Sequence, residues 1–223
     1  MPSRPLIIAI DGPSGAGKGT VARTVAARLT YRHIDTGAMY RAIAWLAGRD
    51  GVDLSDEAQV ADVARDADLD INGAIRVNGH DVTQAIRTPE IDRAAAIVAK
   101  HPAVRAVLVT RQRAYGRDGG IVMEGRDIGS VVFPDADVKI FLDASPDERA
   151  RRRATDPAHA ASRGTSGLDS IATALAQRDA SDRTRTVSPL TQAAGAVYID
   201  TTGVPIDDVV AQVLGIVYSF VQR

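Results

Sequence analysis

Nine residues near the start of the chain, Gly12-Pro13-Ser14-Gly15-Ala16-Gly17-Lys18-Gly19-Thr20, leave little freedom in what it folds into. Glycines let a backbone curl until successive N–H groups point at one spot, and such a concavity attracts an anion. The apolar run Leu6-Ile7-Ile8-Ala9-Ile10 precedes the turn, and Val21, Val25 and Leu29 follow it at helical spacing. In a strand–loop–helix arrangement the helix N-terminus adds its positive dipole end, and Lys18 reaches the same anion. The ordinary alternative is a glycine-rich turn with no ligand. Gly-x4-Gly-Lys arises by chance in roughly 2% of chains of this composition, so its place between strand and helix decides for phosphate. The general motif has Ser or Thr directly after the lysine. Here Gly19 intervenes before Thr20, which leaves open the group that holds a magnesium ion.

The remaining pattern predicts strands at His33-Ile34, Ile121 to Met123 and Val138 to Leu142, and helices over Ala38 to Ala47, from Thr88-Pro89, over Pro102 to Tyr115 and over Asp207 to Val221. Ser145-Pro146-Asp147-Glu148 is a capping box with proline at the first helical position. Strands alternating with helices imply a P-loop-type three-layer α/β fold on a parallel sheet. Asn72-Gly73 and Asn78-Gly79 are hairpin signals, so a small antiparallel meander is expected near residues 68–83. Residues 156–167 lack an apolar period, lie between two arginine-loaded helices and read as a mobile flap.

At 223 residues the chain suits one domain with insertions. A net charge of -1 gives no global attraction to nucleic acid or to an anionic membrane, so the expected partners are small molecules. The absence of cysteine excludes disulfides and thiolate chemistry and fits a cytoplasmic setting. The last apolar stretch, Val209 to Val221, is interrupted by Gln212, Gly215 and Ser219 and falls short of the roughly 20 residues of a membrane span.

Of the 27 basic residues, only Lys18, Lys100 and Lys139 are lysine. Arginine binds phosphate oxygens in pairs and stays charged. It clusters in Asp35-Thr36-Gly37-Ala38-Met39-Tyr40-Arg41, in Glu124-Gly125-Arg126-Asp127 at the carboxyl edge of a strand, and in Arg178-Asp179-x-x-Asp182-Arg183-x-Arg185 after the flap. Three such groups indicate more phosphate charge than one nucleotide carries. Arg149-x-Arg151-Arg152-Arg153 reads equally as a solvated face and as lid arginines, and Asp143 as a carboxylate near magnesium or as a strand end. The four histidines, His33, His80, His101 and His159, have no ligand spacing.

These segments, together with Ile86-Arg87-Thr88, Gly125-Arg126-Asp127-Ile128-Gly129, Val131-Val132-Phe133-Pro134-Asp135, Lys139-Ile140-Phe141-Leu142-Asp143 and Ser188-Pro189-Leu190, closely resemble the bacterial cytidylate kinase family nearly end to end. The Gly-Lys-Gly-Thr turn is similar to that of nucleoside monophosphate kinases. The resemblance implies one kinase domain over 1–223, with a monophosphate-binding subdomain at 36–105, its β insertion near 68–83, and a lid at 153–170. It implies transfer of the γ-phosphoryl of ATP, with Mg2+, to CMP and dCMP by a cytoplasmic monomer. Gly12 through Thr20 would bind ATP. Thr36, Arg105 and Asp127 would face the cytosine, and Tyr40 would belong to the same CMP site. Arg41, Arg126, Arg178 and Arg185 would hold phosphate, and Asp182 would contact the ribose. Lys18, Arg126, Arg178 and Arg185 would be catalytic. The family often has serine where this chain has Ala96, which bears on ribose against deoxyribose.

The acceptor so implied is already ionised, with a second phosphate pKa of about 6, and needs no general base. Three other readings stand beside it. One is UMP or AMP as acceptor. Another is a hydroxyl-directed kinase of shikimate or gluconate type, for which Asp35 is the available base. The third is a nucleotide-dependent switch that hydrolyses slowly.

Overall fold

The computed structural model describes residues 4–71, 73–156 and 167–222. Five parallel strands form the central sheet: β1 (Ile7–Asp11), β2 (Arg32–Asp35), β6 (Ile121–Gly125), β7 (Val138–Asp143) and β8 (Val197–Asp200), in the order β2-β6-β1-β7-β8. β1 lies at the centre because it is apolar on both faces. Ala9 packs into one layer with Ile34, Ile121 and Met123, whereas Ile8 and Ile10 pack into the other with Val122, Ile140 and Leu142. Continuous apolar runs of this kind belong to parallel strands covered on both sides.

One layer is closed by α1 (Lys18–Leu29) and α8 (Ile206–Val221), through Val21, Val25, Val210, Val213 and Val217. The opposite layer holds α2 (Thr36–Arg49), α3 (Glu57–Asp66), α4 (Pro89–Val98) and α5 (Pro102–Tyr115). A small antiparallel sheet, β3 (Leu69–Asp70), β4 (Arg76–Val77) and β5 (His80–Asp81), joins that layer and buries Val77. After β7 come α6 (Pro146–Thr155) and α7 (Leu168–Thr184). The three-layer parallel fold expected from the alternating pattern is the fold observed.

Local signals account for many of the boundaries. Ser145 caps α6 by accepting from the Glu148 N–H, and Thr88 caps α4 by accepting from that of Ile91. Asn78 and Gly79, at φ of 49° and 77°, make the tight β4–β5 turn their dipeptide predicts. The first Asn-Gly pair does not close a two-residue hairpin: the β3–β4 connection runs over 71–75, and Asn72 lies outside the described residues. The capping box is one-sided, because the Glu148 carboxylate turns to Arg151 and Arg152 instead of the cap. The expected flap and the middle of the lid, 157–166, lie outside the described residues. Among the described residues no helix is long and apolar enough to cross a membrane.

Candidate active site

The phosphate loop leaves β1 where only glycine fits. At Gly12, φ is 146° and a Cβ would stand 1.9 Å from the Leu142 carbonyl oxygen of the neighbouring strand. Gly15 and Gly17 follow at φ of 81° and 89°, curling the chain into α1, whose first residue is Lys18. Lys18 is buried, and its Nζ donates to the Pro13 carbonyl at 2.7 Å across the loop. Burial, reinforced by Arg126, pulls its pKa down to about 7. The Ser14 N–H points away from the cleft to the Asp179 carboxylate at 3.3 Å, so the amides left for a phosphate begin at Gly15. Beneath the loop, Asp11 accepts from the Ile128 and Gly129 N–H groups at 2.8 and 2.7 Å. Its own burial pushes its pKa up to about 6.

The unusual Gly19 has a spatial cause. A Cβ there would lie 3.0 Å from Glu124 Oε1, and that carboxylate is itself held at 3.2 Å by His33 Nε2. His33 therefore has a place at the site that its isolated position in the sequence did not signal.

Across the cleft, Asp35 caps α2 by accepting from the Ala38 N–H at 2.9 Å and pairs with Arg41 at 3.0 Å and Arg87 at 3.5 Å. Burial alone would raise the Asp35 pKa, but the two guanidiniums and the cap bond hold it well below the carboxylate range. Thr36 Oγ1 donates to the Glu124 carbonyl at 2.7 Å. Deeper in, Arg105 is paired with Asp127, which Arg185 also approaches at 3.6 Å. The Arg105 guanidinium lies 5.7 Å from the centre of the Tyr40 ring, whose hydroxyl burial pushes up to about 12. Arg126 is bound by Asp182 at 2.9 Å, and Arg178 by Asp92 of α4 at 3.1 Å. These groups line one cleft of about 660 Å³ between the loop and α2, α4 and α7.

The cleft brings together Ser14 through Thr20 with Thr36, Tyr40, Arg41, Arg105, Arg126, Asp127, Arg178, Asp182 and Arg185. Gly12 and Pro13 do not line it; they shape the loop, and Pro13 supplies the carbonyl that holds Lys18. Arg149 is no lid arginine, because it turns inward to the Ser14 carbonyl at 3.0 Å. Arg152 lines the far end of the cleft, donating to the Thr201 carbonyl at 2.6 Å beside Val204, Pro205 and Ile206, and Arg153 pairs with Asp92. Asp143 is a strand end, accepting from the Ala144 N–H, and does not line the cleft. Arg87, Glu124 and the 201–206 turn were not named as site residues. Arg87 and Glu124 carried a signal, the one standing before the Thr88-Pro89 helix start and the other opening the Glu124-Gly125-Arg126-Asp127 cluster, whereas the 201–206 turn carried none. Among the described residues no cluster of three or more His, Cys, Asp or Glu is placed to hold a metal.

Comparison with known proteins gives a consistent picture. The sequence profile described as Cytidylate kinase matches residues 8–219. A relative named Cytidylate kinase from Solibacter usitatus (strain Ellin6076) is 48% identical over 215 residues, covering 96% of this chain and 93% of that one. Another of the same name, from Geobacillus sp. (strain WCH70), is 46% identical over 216 residues, covering 94% and 95%. A solved structure of an uncharacterized protein from Eubacterium ventriosum ATCC 27560 shares the fold at a TM-score of 0.51 and 10% identity, over 94% of this chain and 96% of that one.

Proposed function

The chain belongs to the cytidylate kinase family, and from that premise we propose that this cleft transfers the γ-phosphoryl of ATP to CMP, and to dCMP as well. The observation that carries the acceptor assignment is the buried Arg105–Asp127 pair at the closed end, 3% and 9% exposed at its side chains. A carboxylate there accepts from the cytosine amino group, and the guanidinium donates to the ring nitrogen and carbonyl. Uracil presents an oxygen to the carboxylate and is repelled, and buried polar groups left unpaired by the wrong base discriminate strongly.

The acceptor phosphate attacks unaided, so the protein's work is positioning and charge stabilisation. In this reading Lys18 and the amides from Gly15 onward take the donor phosphates. Arg41 and Arg126 take the acceptor phosphate, and Arg178 and Arg185 reach the transferring group. Each arginine exchanges its resting carboxylate for phosphate oxygens. The state of Asp35 argues against a hydroxyl acceptor: a carboxylate held ionised by Arg41 and Arg87 is a poor general base. Magnesium fits this donor set as a hard cation held chiefly by nucleotide phosphates, with the Thr20 hydroxyl and Glu124 carboxylate as the nearby oxygens. When bound it neutralises charge on the transferring group. On the acceptor side α4 and its C-cap line the cleft with Ala95, Ala96 and Ala99. A missing 2′-hydroxyl therefore leaves no unmade bond on that wall, which supports use of dCMP. The two nucleotide substrates support action in the cytoplasm, and we take the working unit to be a monomer.

The test is ADP production from magnesium ATP alone and with CMP, dCMP, UMP, AMP or shikimate added singly. Stimulation by CMP and dCMP well above UMP and AMP is expected. Stimulation by shikimate alone would overturn the acceptor assignment and leave the phosphate loop standing.

A further inference from the structure

The geometry points to Asp179 and Arg149 as positioning residues for the donor nucleotide: between them they grip both backbone polar groups of Ser14 and set the direction of the loop amides that follow. The inference rests on reading the loop as the ATP site. Asp179 Oδ1 accepts from the Ser14 N–H at 3.3 Å, and Arg149 Nη1 donates to the Ser14 carbonyl at 3.0 Å. Arg149 and Asp179 are paired with each other, closing a hydrogen-bonded ring on one residue of the loop. Arg149 Nε is anchored in turn on the Ala144 carbonyl at 3.1 Å. All three residues are buried, at 6% to 7% exposure.

The neighbouring glycine belongs to the same device. A Cβ on Gly15 would meet Arg149 Cβ at 2.9 Å and the Arg149 carbonyl oxygen at 3.0 Å, so the loop lies directly on the backbone of α6. A buried ion pair adds little net stability over an apolar pair of the same shape, so stability alone is a weak reason for this one. Oriented amides in a water-poor site act strongly only when they cannot turn away, and the ring prevents that. α7 also carries charges that face the reacting phosphates: Arg178 precedes Asp179, and Asp182, one turn on, holds Arg126. The loop amides and Arg126 are thus set from one helix.

The experiment compares wild type, Asp179→Asn, Arg149→Lys and the double variant Arg149→Gln/Asp179→Asn. The readouts are KM for ATP and for CMP, the Kd for ATP of the free enzyme by calorimetry, and Tm. The double variant leaves no unpaired buried charge and stays measurable if a single variant folds poorly. Each single variant is expected to raise the Kd and KM for ATP about tenfold with less than about twofold change in KM for CMP, and the double variant to be no worse than the worse single, as for contacting members of one network. ATP affinity equal to wild type overturns the inference. So does an equal loss for both substrates that tracks Tm. If wild type itself binds no ATP, the donor-site reading fails instead, so the two failures are distinguishable.

Discussion

Lys18 is buried in the phosphate loop, where desolvation opposes its charge. Its pKa in the folded chain, about 7, lies below the 10.5 of an exposed lysine. Between those values the unfolded chain binds more protons than the folded one, so the Lys18 contribution to stability rises with pH across that window. Lys18→Met is therefore expected to raise the Tm of the ligand-free protein at pH 7 while abolishing turnover. A lower Tm would show that the Pro13 bond outweighs burial. A donor phosphate restores the charged form, so MgATP binding at pH 8 is expected to take up a proton, read by calorimetry in buffers of different ionisation enthalpy and absent in Lys18→Met. Asp127→Asn is expected to lower the CMP-over-UMP ratio of kcat/KM by about tenfold or more, the worth of a hydrogen bond to a charged group. At this scale the sequence was most legible where residue type and chemistry coincide, as in the loop lysine and the arginine clusters. Glu124 and Asp179 were harder to see, because their meaning lies in a contact with Gly19 or Ser14 on another part of the chain.

At the scale of elements, the start of α1 sets two effects against each other. Replacing Gly19 by alanine gains about 1 kcal/mol of helix propensity, whereas forcing a methyl against a fixed neighbour costs about 1–3 kcal/mol. Glu124 is 8% exposed and held by His33, so it yields poorly. Gly19→Ala is therefore expected to lower the urea midpoint and raise the KM for ATP, and an unchanged midpoint would mean the carboxylate swings aside. Ser145→Ala should cost about 1 kcal/mol through loss of the α6 cap, measured by the same unfolding experiment. Elements with local punctuation, such as the capped α6 and the Asn78-Gly79 turn, were readable in advance. α3, β8 and the π-helical turn at Ile128–Val132 were not. β8 exposes Val197 and Tyr198 and pairs only with β7, so it lacks the apolar run of a central strand. The π-helical turn is held by the remote Asp11 carboxylate, a partner no local window contains.

Taken whole, the molecule has a net charge of -1 and a cleft crowded with arginine, yet nearly every arginine assigned to substrate rests against a carboxylate. Long-range attraction is therefore weak, and buried pairs are screened little by salt. KM for CMP is expected to change by less than about threefold between low and physiological ionic strength, whereas a site of free arginines would weaken steeply. The paired state has a wider meaning for a protein working among free phosphates. A small anion that enters must break one contact to gain another. A nucleotide offers several oxygens together with amino and hydroxyl donors, and so is suited to exchanging several partners at once. The resting cleft thus admits ligands by the completeness of the exchange and turns away those that bring charge alone.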